Sequence, residues 1–140
     1  MNLCQALQEV ETSEELHQFA GNFYPDGGID ILRKVINHPL CDKGTALMIY
    51  CMGRPGYYYR QLERKKSLRP EQQEAFELLK EIEEKYTSNG FTRSNIKFDP
   101  HDARGQDLLK EDSANPGNKM IPEVMKIATD GETVELLEVY

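Results

Sequence analysis

The chain has 140 residues, enough for one domain with a real core and too few for two of typical size. Hydrophobic residues at 39% and charged residues at 29% fit a globular protein, and no run approaches the roughly twenty apolar residues of a membrane span. A net charge of −7 disfavours indiscriminate binding to nucleic acid, which needs cations to displace phosphate counterions.

Taken in chain order, Leu3, Ala6, Leu7 and Val10 recur at helical spacing and predict a first helix. Thr12 followed by Glu15 makes a capping box for a second, with Leu16, Phe19, Ala20 and Phe23 as its apolar face. The turn residues Tyr24 to Gly28 precede a third helix marked by Ile29, Leu32, Val35 and Ile36. It stops before Pro39, because the residue ahead of a proline is pushed out of helical geometry.

Asp42 predicts the N-cap of a fourth helix whose residues Ala46 to Met52 are apolar on every side, the pattern of a central, buried helix. Gly53 is expected to end it in the left-handed conformation, with Arg54-Pro55-Gly56 confirming the stop. Pro70 then opens a long amphipathic helix with Ala75, Phe76, Leu79, Ile82 and Tyr86 as its buried stripe, closed by Asn89-Gly90.

Residues 93–122 are polar and turn-rich, and predict a loop with a short strand over 96–98 and a helical turn near Leu108. Asp130-Gly131, between two β-prone runs, predicts a hairpin. The predicted fold is mainly α: a single compact domain over residues 1–140. About five helices fill residues 1–90, and a loop-rich segment with a small C-terminal β-hairpin fills residues 91–140.

The N-terminal residues show no basic leader, sustained apolar core or small-residue cleavage site, so the expected location is the cytoplasm. Cys4, Cys41 and Cys51 form an odd, widely spaced set that suits reduced thiols acting as small core hydrophobes. His38 and Cys41 are two potential ligands where a metal needs more, and His17 and His101 come from distant segments. The histidines are read as surface or capping residues, and neither metal nor cofactor is expected.

Chemistry could reside in DPHDARGQD, residues 99–107, where His101 flanked by Asp99 and Asp102, with Arg104 nearby, supplies a base, an orienter and an anion clamp. That pattern suits a small hydrolase, and equally suits a solvated turn. YYYRQLERKK, residues 57–66, combines aromatics and cations as a single-strand RNA binder does. On a helix, adjacent tyrosines diverge, burying Tyr58 and leaving Tyr57 and Tyr59 at the rim, and tyrosine and arginine are also favoured at protein interfaces. At −7, protein contact ranks above RNA contact.

The charge is uneven. Residues 1–40 carry six acids against two bases, residues 101–140 nine against four, and residues 41–70 seven bases against two acids. A cationic middle lies between acidic ends.

Residues 16–59 resemble the core of an uncharacterised bacterial domain family. The likeness rests on Asn22, Phe23, Asp26 and Gly27 in a turn, on Asn37 and Pro39 after a helix, and on Cys41, Asp42, Gly44, Thr45, Ala46 and Leu47 opening the next. The chain departs from that family's pattern at Pro25 and Cys51, where aromatic residues are usual. Those signature positions imply turns, caps and core, so the resemblance speaks to fold.

Small acidic proteins of this kind also resemble the immunity partners of secreted bacterial toxins of contact-dependent and other polymorphic systems. That resemblance implies a non-enzymatic protein, itself a monomer or weak dimer, which occludes a cationic toxin domain, commonly a nuclease, one to one. The expected partner-binding residues are Asp102, Asp107, Glu111 and Asp112, with Tyr57 and Tyr59 as aromatic anchors. No membrane partner is expected, and nucleic acid is disfavoured.

Overall fold

The computed structural model describes residues 3–22, 28–111 and 113–135. Within them lie six α-helices: α1 (Leu3–Gln8), α2 (Ser13–Asn22), α3 (Gly28–Ile36), α4 (Lys43–Met52), α5 (Pro55–Glu63) and α6 (Pro70–Thr87). Two 3-10 turns, Pro116–Met120 and Glu123–Lys126, and two short strands, β1 (Ile96–Lys97) and β2 (Glu132–Thr133), complete them. The mainly α expectation holds. The turn at residues 23–27 lies outside the described residues, as does the end of the last β-prone run at 136–140.

Local chemistry explains where the helices begin. Thr12 Oγ1 accepts from the Glu15 N–H at 3.1 Å, while the Glu15 carboxylate reaches the Glu11 N–H, one residue earlier than a regular capping box. α4 is capped by Asp42, whose Oδ1 accepts from the Gly44 N–H at 2.9 Å. α6 closes through Asn89, which takes the left-handed conformation (φ 60°) and lets the Gly90 N–H bond back to Lys85 O.

Gly53 does not play the part expected of it. It stays right-handed (φ −76°), and the left-handed residue is Arg54 (φ 58°). Small size is what position 53 requires, since a Cβ there would press into Leu79. The chain turns at Arg54, and Pro55 at the first helical position starts a helix of its own, which makes six helices rather than about five.

α4 is the axis of the fold. All residues from Gly44 to Cys51 are buried, and α2, α3, α6 and β1 pack around it. Leu16 and Phe19 of α2, Ile31, Leu32, Val35 and Ile36 of α3, and Leu78, Leu79, Ile82 and Tyr86 of α6 face it. Ala75 and Phe76, expected in the α6 stripe, are only half-buried, because they lie beside α5 rather than α4. Arg33 of α3 reaches Glu81 of α6 at 3.0 Å. Cys41 and Cys51 are core hydrophobes, and burial pushes the Cys41 thiol up to about 12 and raises that of Cys51. Among the described residues, no helix is long and apolar enough to cross a membrane.

The polar segment after α6 is anchored to this core: Ile96, Leu109, Ile121 and Met125 are fully buried. The expected C-terminal hairpin is replaced by a parallel pairing, Ile96 with Glu132 and Lys97 with Thr133. Two local facts oppose a hairpin. Pro122 leads residues 123–126 into a 3-10 turn instead of a strand. Thr129 is already engaged, since its N–H donates to Phe98 O and its hydroxyl donates to Ile96 O and accepts from the Phe98 N–H. Gly131 (φ 118°) then lays β2 against Asn95, where a Cβ would overlap the Asn95 carbonyl.

Asp42 joins helix to sheet. Besides Gly44, its carboxylate accepts from the Asn95 N–H at 2.6 Å and the Ile96 N–H at 3.2 Å, with no exposed surface. Gly44 permits this approach, because a Cβ there would overlap the Ile96 carbonyl. Asp42→Ala strands buried amides and should cost on the order of 4 kcal/mol in urea denaturation. Gly44→Ala should also destabilise, despite the better helix propensity of alanine; an unchanged midpoint would contradict this packing.

Candidate functional site

The expected binding residues fall into three separate environments. Tyr59 is drawn into the fold. Its hydroxyl donates to Glu83 Oε2 at 2.6 Å, the Tyr50 hydroxyl donates to the same oxygen at 2.8 Å, and Lys80 Nζ donates to Glu83 Oε1 at 2.9 Å. Burial and then the Glu83 hydrogen bond raise both phenols above their ordinary pKa. Tyr58 is half-buried rather than fully so, stacked on Phe76 with ring centroids 5.5 Å apart, and Tyr59 meets the same ring edge-on. α5 has a shallow seat, so neither ring leaves solvent entirely.

Tyr57 alone of the three faces outward, 37% exposed, as its rim position predicts. α5 is held beneath it by a close approach of two glycines. Cβ atoms at Gly56 and Gly117 would overlap Asn118 and the Gly56 carbonyl respectively, so the Pro-Gly pairs at 55–56 and 116–117 pack backbone to backbone. Asn118 then donates to Lys110 O at 2.8 Å, fastening the acidic segment to the same junction.

The acids of that segment divide again. Asp107 accepts from the His101 ring Nδ1 at 2.9 Å and from the Leu109 N–H, and so shapes its own turn. Asp99 accepts from the His101 backbone N–H, not from its ring. The expected grouping of His101 with Asp99 or Asp102 is therefore not formed. Asx-type hydrogen bonding in a tight turn takes Asp99, and His101 stands at the surface beside Asp107. Glu111 pairs with Lys126 at 2.6 Å, and Lys126 also reaches Glu123 at 3.0 Å. Burial opposes the charge on Lys126, but its two carboxylate partners hold its pKa above the ordinary value, while its hydrogen bond lowers that of Glu111. Asp112 lies outside the described residues.

Asp102 borders a cavity of about 820 Å³ between α2, α4 and the segments 97–108 and 133–135. Met48, Met52 and Phe98 give it apolar wall, and Lys97, Arg104, Asp99 and Glu135 bring both signs of charge to its lining. His101 is not among its lining residues. His17 is, and it is buried, which corrects its reading as a surface or capping residue. It sits one turn ahead of Ala20 on the buried face of α2, a position that hydrophobic periodicity skips because histidine counts as polar. Its Nδ1 meets Thr45 Oγ1 at 2.9 Å. His38 has a capping part, its Nδ1 accepting from the Leu40 N–H. Among the described residues, no three His, Cys, Asp or Glu side chains converge as a metal site does.

Sequence reading also passed over the outward side chains of residues 120–127. Met120 is 59% exposed, Val124 45% and Ile127 65%, beside the Glu111–Lys126–Glu123 bridges. The sequence pattern puts Met120 in a polar loop and Val124 and Ile127 in a β-prone run, and neither pattern marks an exposed apolar surface.

Comparison with known families places the helical part of this architecture. The model of a domain of unknown function, DUF4274, matches residues 11–87. The chain belongs to this family. The DUF4274 match spans α2 to α6, so it takes in Asp42, Gly44 and Tyr57. It stops before β1, leaving the acidic and apolar segment of residues 91–135 outside it. No curated protein and no solved structure matches the chain.

Burial lowers the His17 pKa from 6.5 to about 4, against the opposing charge of Asp42. Between those values the unfolded chain binds the proton and the folded chain does not, so stability present above pH 6.5 is lost as pH falls toward 4. The loss should approach about 3 kcal/mol. Urea midpoints measured across this range should fall with acid in the natural protein and lose most of that slope in His17→Gln.

Proposed function

We propose that this DUF4274 protein is a non-enzymatic binding protein, an immunity protein that occludes a cationic toxin domain of the nuclease class in a one-to-one complex in the cytoplasm. The observation that carries this reading is the surface around the turn Glu123–Lys126, where Val124 and Ile127 are exposed on either side of the buried Met125. Exposed Met120, Val124 and Ile127 thus supply apolar contact, and Glu111 and Glu123, fixed by Lys126, supply acidic groups around it. An apolar centre with a charged margin is the anatomy of a protein interface, and the carboxylates of Glu111 and Glu123, more exposed than the Lys126 that bridges them, are the groups a cationic partner would meet.

Pre-organisation supports the same reading. Asn118, Leu109 and Ile121 pin the backbone on which these groups stand, so little ordering is left for the moment of binding. Asp102 and Asp107 extend the negative field along the neighbouring turn, where it would compete with the phosphates that a nuclease binds.

The test is rescue from toxicity. Cells producing the cationic toxin domain encoded beside this protein should survive when the natural protein is co-produced. Ile127→Arg should weaken the complex by about 2 kcal/mol, or roughly thirtyfold in Kd, without unfolding the protein. Glu111→Lys should slow association and flatten its salt dependence. A neighbouring toxin that is not neutralised, or one neutralised equally well by both variants, refutes the proposal.

A further inference from the structure

At the junction of α5 and α6 one exposed phenol is held as an acceptor by two side chains. Gln61 Nε2 donates to the Tyr57 hydroxyl oxygen at 2.8 Å, and Gln72 Nε2 donates to it at 3.3 Å. The Gln72 amide is fixed in this sense, because its Oε1 accepts from the Arg69 N–H at 3.0 Å. With its acceptor capacity taken, the Tyr57 phenol has its proton left to donate outward.

Two arginines act on that phenol. The Arg54 guanidinium lies 5.6 Å from the centroid of the Tyr57 ring. The hydrogen bonds from Gln61 and Gln72, with the charges of Arg69 and Arg54, hold the phenol below its ordinary pKa, as a site prepared for negative charge would. The N-terminus of the 18-residue α6 adds the positive end of its dipole. Two acids oppose this charge, Glu71 at 3.4 Å from Arg69 and Glu63 at 3.2 Å from Arg60, both in exposed pairs that solvent screens.

The backbone gives an independent sign. Arg54 (φ 58°) and Lys65 (φ 55°) flank α5 in the left-handed region, where glycine or asparagine would sit with less strain. Asn89 fills the comparable place after α6. Exposed basic residues kept in strained conformations at both ends of one helix are explained if their side chains are used. Arg64, Lys65 and Lys66 continue the exposed cationic run, and Leu62 beside them is 47% exposed.

We propose that Tyr57, Arg54 and Arg69 form a carboxylate-recognition site, and that the cationic run at 64–66 with Leu62 extends it to hold an acidic peptide segment of a partner protein. The phenol proton and two guanidinium forks are directional donors suited to a carboxylate, and Leu62 offers contact to an apolar side chain between acids. RNA fits less well. Arg54 lies over the ring on which a base would stack, and Tyr58 meets that ring edge-on at 5.2 Å. This cationic surface uses none of the residues of the proposed toxin-binding face, and it stands whether or not the toxin reading does.

Fluorescence anisotropy with a labelled peptide of alternating Asp, Glu and Leu, titrated with the whole protein at physiological salt, tests the site. Saturable binding is expected, and Tyr57→Phe, which keeps the ring and removes the hydroxyl, should weaken it about fivefold. Arg54→Asn should weaken binding while leaving thermal stability equal or higher, because asparagine tolerates the left-handed backbone. That opposite movement separates recognition from a structural role. The proposal is overturned if no saturable binding appears, if Tyr57→Phe binds as the natural protein does, or if an oligouridine of equal length binds more tightly than the peptide.

Discussion

A single buried carboxylate holds the two halves of this protein together. Asp42 caps α4 and, with the same two oxygens, accepts the Asn95 and Ile96 amides, more than fifty residues away in sequence. The Lys43 N–H donates to Arg93 O, so backbone groups of both segments contribute to the seam. A carboxylate taken out of water costs several kcal/mol unless its lone pairs are filled, and here three backbone donors and the positive end of α4 fill them. Gly44 and Thr129 depend on the same contact, the first by allowing the approach and the second by stitching β1 beyond it. Without Asp42 the later segment would keep its apolar anchors but lose the polar seam that sets β1 against the start of α4.

What the sequence made legible follows from the range of the interactions involved. Caps, breaks and helical periodicity act within a few residues, and Thr12, Asp42, Pro70 and Asn89 all do what local chemistry predicts. The failures are those in which a distant partner decides. Asp130-Gly131 is a turn signal that no local rule could tell from a hairpin, yet β2 lies against Asn95 because Thr129 is already bound there. Gly53 reads as a left-handed terminator, but its role is set by Leu79 on α6. Asp42 was legible as a cap and not as a seam, for the same reason.

The candidate surfaces show that division more sharply. Tyr57, Tyr58 and Tyr59 are identical in the sequence, and one helix turn gives them unlike fates, set by Phe76 and Glu83 below and by Gln61 and Gln72 beside them. Acidity along residues 99–111 is legible as charge, whereas the partners that employ it, His101 for Asp107 and Lys126 for Glu111, appear only in three dimensions. Exposed Met120, Val124 and Ile127 were hidden for the opposite reason, since apolar residues are ordinarily assigned inward.

These facts separate the tasks of scaffold and surface. The DUF4274 portion, residues 11–87, supplies the buried axis and the cationic face of α5, and the segment after it supplies an acidic and apolar face. That later segment is secured at a few points: Ile96, Leu109, Ile121 and Met125 in the core, Thr129 on β1, and the glycine contact between residues 56 and 117. Side chains between the anchors, among them Asp102, Val124 and Ile127, project without supporting the core. Substitutions there should cost little stability, because the buried area resides in the helical core and the anchors, and the polar satisfaction of the junction resides in the Asp42 seam. Scaffold and surface are thus set by different residues, so the exposed side chains can vary while the packing around α4 and the seam stays as it is.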